Sequence, residues 1–236
     1  MPRANRFHVA GAVWHITHRC HCRCFLLKFE RDRLRWRHWL FQARKRYGLC
    51  VLNYIATSNH VHLLVRDNGQ AEIARSMQLI SGRTAQEYNQ RKGRKGAFWE
   101  DRYFATAVSI DQHLIRCLVY VDLNMVRAGV VEHPSQWKVS GFHEIQSPPQ
   151  RYQIVDNQAL CELTNLPNSR ALQAAHLNWV TQCLLAGKLK RQPHWTESVA
   201  VGSADFVRQV KSQLGVRGMY RTVSQDDEGT FRIQDC

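Results

Sequence analysis

Two apolar runs, CVLNYIAT at 50–57 and HVHLLVR at 60–66, stand with almost nothing between them. A link that short makes the chain turn back on itself and pair as an antiparallel hairpin. The second run is unusual for a buried strand, because it carries two imidazoles, His60 and His62. Successive strand side chains point to opposite faces. The two histidines therefore share a face with their Cα atoms about 6.6 Å apart, and Val61 points the other way, into the core. Two imidazoles so placed can reach one metal ion, but a bare His-x-His pair is more often solvated or simply buried.

The segments around the hairpin set the fold class. VAGAVWHIT (9–17) reads as a first strand, followed by a basic loop over 18–29. Residues 30–47 read as a helix with Leu34, Trp36, Trp39, Leu40 and Ala43 among its apolar positions, ended by Gly48. A second helix is expected over 70–89, with Ile73, Met77, Ile80 and Ala85 inward, and a Gly- and Lys/Arg-rich loop at 90–97 breaks it. RYFATAV (102–108) is a fourth strand, and Asp111 caps a helix over 112–128 that Gly129 closes. The order β-α-β-β-α-β plus a helix predicts an α+β fold, the split βαβ or ferredoxin-like arrangement, with one central antiparallel sheet and helices on one face.

The texture changes after about residue 134, and SPPQ (147–150) is a break. Helices are expected over 168–186 and 203–214, each ended by a glycine, with a loose polar tail over the last dozen residues. The reading divides the chain into a domain over 1–146 and a helical C-terminal extension over 147–236, which either widens a DNA surface through Trp179, Trp195 and KLKR (188–191) or serves as a packing appendage.

Charge narrows the partner. There are 33 Lys and Arg against 19 Asp and Glu, a net +14, with clusters at 43–48, 90–96 and 188–191. Such a field favours a polyanion, above all nucleic acid. No apolar run reaches the roughly 18 residues of a membrane span, and the first residues carry no apolar segment of signal-peptide length, so the expectation is a cytoplasmic protein with no membrane partner. The eight cysteines should then be reduced. Cys20, Cys22 and Cys24 in HRCHCRC lack Cys-x-x-Cys spacing and a matching second pair, so they read as thiols in a basic loop rather than a zinc site.

The helix over 112–128 supplies further polar groups. Leu114, Leu118, Val121, Met125 and Ala128 form one stripe, and His113, Arg116, Tyr120, Asn124 and Arg127 form another. Tyr120 and Asn124 are four apart and project together. A tyrosine beside an amide and two arginines suits attack on a phosphate; the alternative is a boundary tyrosine half covering the core.

These pieces together resemble the HUH-type single-tyrosine transposases of insertion sequences, and most closely the REP-associated tyrosine transposases. The resemblance spans about residues 3–145 and rests on VWHITHR (13–19), NHVHLLV (59–65), FWEDRYFATAV (98–108) and YVDLNMVRAGVV (120–131). It implies the HUH endonuclease fold and a metal-dependent enzyme that cuts and transfers single-stranded DNA near hairpins such as REP-like palindromes. By motif, His60, His62 and Asn124 would hold Mg²⁺ or Mn²⁺. Tyr120 would be the nucleophile, leaving a 5′-phosphotyrosine, and Tyr103, in a strand phrase of the family, would be structural. Arg116, Arg127 and the basic loop (Arg91, Lys92, Arg94, Lys95) would hold the strand, with Arg3 and Arg6 as a basic N-terminal arm. A monomer or a homodimer is expected. The chain departs from the family pattern at Thr57 and Ser58, where Met-Pro is usual, at Met125, where Pro follows Asn, and at CHCRC, which replaces a Gly/Asn-rich loop. Two alternatives are a DNA-binding regulator that keeps the fold without catalysis, and a metal-dependent nuclease that uses water.

Overall fold

The computed structural model describes residues 11–187, 189–226 and 229–235; Arg3 and Arg6 lie outside them. The N-terminal part runs β1 (Val13–Arg19), α1 (Glu30–Tyr47), β2 (Cys50–Ala56), β3 (His60–Arg66), α2 (Glu72–Lys92), β4 (Phe104–Val108), α3 (Gln112–Asp122) and α4 (Asn124–Arg127). The remainder adds α5 (Phe142–Gln146), α6 (Asn157–Leu163), α7 (Ser169–Leu185), α8 (His194–Glu197), β5 (Ala200–Gly202), α9 (Ala204–Gln213), α10 (Val216–Met219), β6 (Arg221–Gln225) and β7 (Phe231–Asp235).

The α+β expectation holds. β2 and β3 form the hairpin, β1 lies between β3 and β4, and all three pairings are antiparallel. α1 forms where its acids open the first turn and Arg44, Lys45 and Arg46 close the last, matching the helix dipole. Asp32, Trp36, Leu40 and Ala43 make its buried stripe, whereas Leu34, expected among the apolar positions, is 38% exposed. α2 continues three residues beyond its expected end, to a left-handed Gly93 at φ +58°, so Arg91 and Lys92 belong to a helix rather than a loop.

Helices cover both faces of the sheet, which corrects the one-face expectation. α1 and α2 pack together on one side, where His18 of β1 meets Ser81 of α2. α3 lies on the other, where Asn53 of β2 donates to the Leu118 carbonyl at 3.2 Å and to Asp122 Oδ1 at 2.9 Å. The physical reason is visible in α3 itself: Leu114, Cys117, Leu118 and Val121 are buried, and so are Val119 and Leu123, which pack with Val180 of α7. A helix apolar on so much of its circumference needs cover on two sides.

The C-terminal segment supplies that second cover and also extends the sheet. α7 packs on α3 through a buried hydrogen bond from His176 Nε2 to Asp122 Oδ2, 2.8 Å, while Gln146 donates to His176 Nδ1 at 2.7 Å. β5 pairs parallel to β4, and β7 and β6 follow, giving the order β2-β3-β1-β4-β5-β7-β6. The tail expected to be loose is therefore largely a hairpin on this sheet. Its alternation of Thr, Val, Phe and Ile suits a strand, and pairing with β5 gives its backbone groups partners.

Gly202 shows how closely β5 is seated. A Cβ there would stand 2.3 Å from Ser109 Cβ and 2.8 Å from the Phe206 ring. Gly202→Ala should destabilise the protein by roughly 1–3 kcal/mol, the usual cost of overpacking, read as a lowered urea midpoint by circular dichroism.

Candidate active site

His60 and His62 project from β3 onto the face that α3 covers. Cross-strand register places Thr17 opposite His62 and His15 opposite Leu64, so these four share one face. Val61 pairs with His18 and points to the α2 side, as strand parity predicts. The expected helix over 112–128 is interrupted: Leu123 sits at φ −79°, ψ 6°, so Tyr120 lies in the last turn of α3 and Asn124 opens α4. At this break Arg127 Nη2 donates to the Tyr120 carbonyl at 2.7 Å, and its guanidinium lies 3.9 Å from the centroid of the Tyr120 ring. Such a cation over an aromatic face is held by the ring quadrupole.

The histidines are oriented by different partners. His60 Nδ1 faces Asn59 Oδ1 at 2.7 Å and Thr57 Oγ1 at 3.0 Å. His62 Nδ1 faces His15 Nε2 at 2.9 Å, and His62 Nε2 faces the Asn124 amide nitrogen at 2.9 Å. The His60 and His62 rings are 4.9 Å apart at 80°, and the Tyr120 ring is 6.0 Å from that of His62. His60, His62, Tyr120, Asn124 and Arg127 all line one cleft of about 500 Å³, with Arg19, Arg102 and Arg191 among its other walls.

Burial governs the ionisation of these groups. It lowers His15 to about 4 and His60 to about 4, and takes His62 well below the usual imidazole value. Neighbouring arginines push the same way, so the three rings are neutral at pH 7. Burial raises the Tyr120 phenol, with Arg127 opposing it. It also raises the Cys20 thiol to about 12, which disfavours the thiolate a zinc site in that loop would need.

The other candidates disperse. Arg116 is exposed and donates to Thr230 Oγ1 at 3.4 Å, outside the cleft wall. Arg91 pairs with Asp32, Lys92 lies 5.6 Å from the Phe29 ring, and Arg94 ties its own loop through the Ala97 carbonyl at 2.7 Å. Lys95 is exposed on that loop. Tyr103 lines a separate groove beside α2 rather than the cleft. Sequence reasoning missed His15 and Arg19, and gave Trp195 and the cluster that holds Arg191 only a general place on a wider DNA surface. His15 stands in the quoted strand-one phrase, two residues before Thr17 and so on its face, but its register against His62 is a tertiary fact. Arg191 and Trp195 come from the distant C-terminal segment, and their approach to this site is a tertiary fact.

Residues 8–124 match the family model described as IS200-like transposase. A solved REP-associated tyrosine transposase bound to a REP hairpin shares 18% identity, with 66% of this chain and 94% of that one covered and a TM-score of 0.52. A candidate transposase from Deinococcus radiodurans R1 shares 14% identity over 54% of this chain and 97% of that one, with a TM-score of 0.37. No curated protein matches the chain significantly.

The depressed histidines make stability depend on pH. His15 binds its proton only near pH 4 when folded but near 6.5 when unfolded. The unfolded chain thus takes up protons first as pH falls, and stability is lost between about 6.5 and 4. His15 alone should cost on the order of 2 kcal/mol between pH 7 and pH 5, with His62 acting in the same direction. Urea midpoints measured across that range should fall steeply, and His15→Gln should flatten the slope.

Proposed function

Residues 8–124 match the IS200-like transposase family model, and on that premise we propose that the protein cuts and rejoins single-stranded DNA through Tyr120. One observation carries the reading: Tyr120, His60, His62 and Asn124 line a single cleft whose walls also present Arg19, Arg127 and Arg191.

The donor set fits a divalent cation. Both imidazoles have Nδ1 engaged, by Asn59 and His15, which turns Nε2 toward the cleft. The Asn124 amide stands beside His62 Nε2 and can offer its oxygen by rotation about the side-chain bond. All three donors are neutral, so His60, His62 and Asn124 would hold Mg²⁺ or Mn²⁺ only together with a phosphate oxygen of the DNA. Such a cation supplies positive charge where a scissile phosphate becomes more negative.

The protein's own groups account for the rest. The Tyr120 oxygen attacks phosphorus, the bond to the 3′-oxygen breaks, and a 5′-phosphotyrosine remains with a free 3′-hydroxyl. The phenol loses one proton and the leaving oxygen gains one, so the exchange is balanced. The covalent link conserves the phosphoester, and rejoining to another 3′-hydroxyl needs no nucleotide energy. Burial keeps the phenol protonated at rest, and Arg127 against its ring favours the anion as the proton leaves. Arg19 and Arg191 would grip neighbouring phosphates of the strand, a role supported by their place together on one groove. Single strands suit such a cleft because their backbone can be drawn in without opening a duplex.

We carry the substrate class, a REP-like DNA hairpin, from the solved relative, with Arg3 and Arg6 as a basic arm beside it.

The test mixes protein, Mn²⁺ and labelled single-stranded hairpin DNA, then denatures. Wild type should give a covalent protein–DNA adduct, and Tyr120→Phe should lose it by at least about 10³-fold. An undiminished adduct in the variant would refute Tyr120 as nucleophile, and cleavage without an adduct would assign attack to water.

A further inference from the structure

Trp195 lies in α8, about 130 residues beyond the histidine strand, yet it ends a hydrogen-bond chain that begins in the cleft. The last carbonyls of any helix have no donor within it. The Trp195 carbonyl takes His15 Nδ1 at 2.8 Å, with Thr106 Oγ1 at 3.1 Å beside it. A carbonyl only accepts, so His15 Nδ1 carries the ring proton. In a neutral ring the other nitrogen must then accept. Its partner is His62 Nδ1, 2.9 Å away, which therefore carries a proton in turn. What remains on His62 is a bare Nε2, the nitrogen facing Asn124 at 2.9 Å. One acceptor at the far end of the chain thus dictates the lone pair at the cleft.

We propose that the Trp195 carbonyl and His15 form a positioning pair that fixes His62 as its Nδ1–H tautomer, so that the C-terminal segment is a working part of the site. The proposal deepens the reading above and rests on His62 presenting Nε2 to the cleft. Trp195 is well suited to the role, because it cannot swing. Its ring is 1% exposed, its Nε1 donates to Gln192 Oε1 at 2.7 Å, and it packs 6.2 Å from the Tyr120 ring. Thr106 also reaches the Ser198 carbonyl at 2.7 Å, which ties the same segment to β4. His60 makes the contrast, since its orientation comes from Asn59 next to it. His62 has no such neighbour, and an imidazole in water prefers the Nε2–H tautomer, which would turn a donor toward the cleft. Partners that orient a ligating histidine generally change metal affinity by 10–100-fold when removed.

The deciding measurement is the ring-nitrogen NMR signature of His62 in the full chain. Wild type should show Nδ1–H. In His15→Phe the ring should shift toward Nε2–H, and Mn²⁺ titrated calorimetrically should bind about 10- to 100-fold more weakly. His15→Gln, which can donate to the carbonyl and accept from His62, should stay near wild type in both. An Nε2–H signature in wild type, or a tautomer unmoved by His15→Phe, would overturn the proposal. Failure of wild type to bind Mn²⁺ would remove the cation from the functional reading, while the tautomer result would still decide this inference. A covalent adduct formed by a protein whose His62 is Nε2–H would do the reverse.

Discussion

The interface between the sheet and α3 is buried but not apolar, and the architecture follows from keeping its polar groups paired. A buried donor or acceptor without a partner costs more than most single contacts return. Strand parity puts His15, His62 and Asn53 into this layer, and α3 adds Asp122. Each is satisfied by a chain of partners, and both chains leave the N-terminal part. One runs from Asn53 through Asp122 to His176 on α7. The other runs from His62 through His15 to Trp195 on α8. The C-terminal segment is thus the electrostatic complement of a layer that the N-terminal strands leave incomplete.

The same dependence explains which parts of the fold were legible in sequence. Periods of two and 3.6 located all four N-terminal strands and both helices between them, because hairpin, cap and stripe signals are local. α1 begins and ends where its charges and Gly48 place it. Leu34 failed because a helix with one core-facing stripe leaves some apolar residues in water, and the pattern alone cannot say which. The far side of α3 was hidden for a different reason: a stripe analysis assumes one wet face. Val119, Leu123 and Val126 are apolar on what that analysis treats as outside, and they are the contacts of α7. Within the site, Tyr120, Asn124, His60 and His62 were readable by spacing and resemblance. Their orienting partners were not, since a hydrogen bond between residues 47 or 180 apart has no sequence period.

The break at Leu123 bears on how Tyr120 and Asn124 share the cleft. In an unbroken helix, residues four apart stack along one face and their tips diverge with side-chain length. Here the helix relaxes between them, and Arg127 returns over the tyrosine to hold its carbonyl and cover its ring. Arg127 therefore serves the helix before it serves any ligand. Reading it as a simple phosphate grip would overlook that its removal would loosen the Tyr120 backbone as well as the charge beside the ring.

Charge in the cleft points to what must arrive before chemistry can occur. Arg19, Arg102, Arg127 and Arg191 line it against only Glu100 and Asp101, and the histidines and Asn124 bring no negative charge. Sites that bind divalent cations unaided usually do so with carboxylates. Among the described residues no three His, Cys, Asp or Glu side chains gather to hold a metal. A cation entering this cleft alone would meet four guanidinium groups against two carboxylates, and its three proposed donors are neutral. A phosphate reverses the balance, because it satisfies the arginines and supplies the anionic oxygen that the cation lacks. Binding of the two is then mutually favourable, and by linkage each must raise the affinity for the other. On the proposed reading, the arginine-rich wall would gate the metal as well as grip the strand.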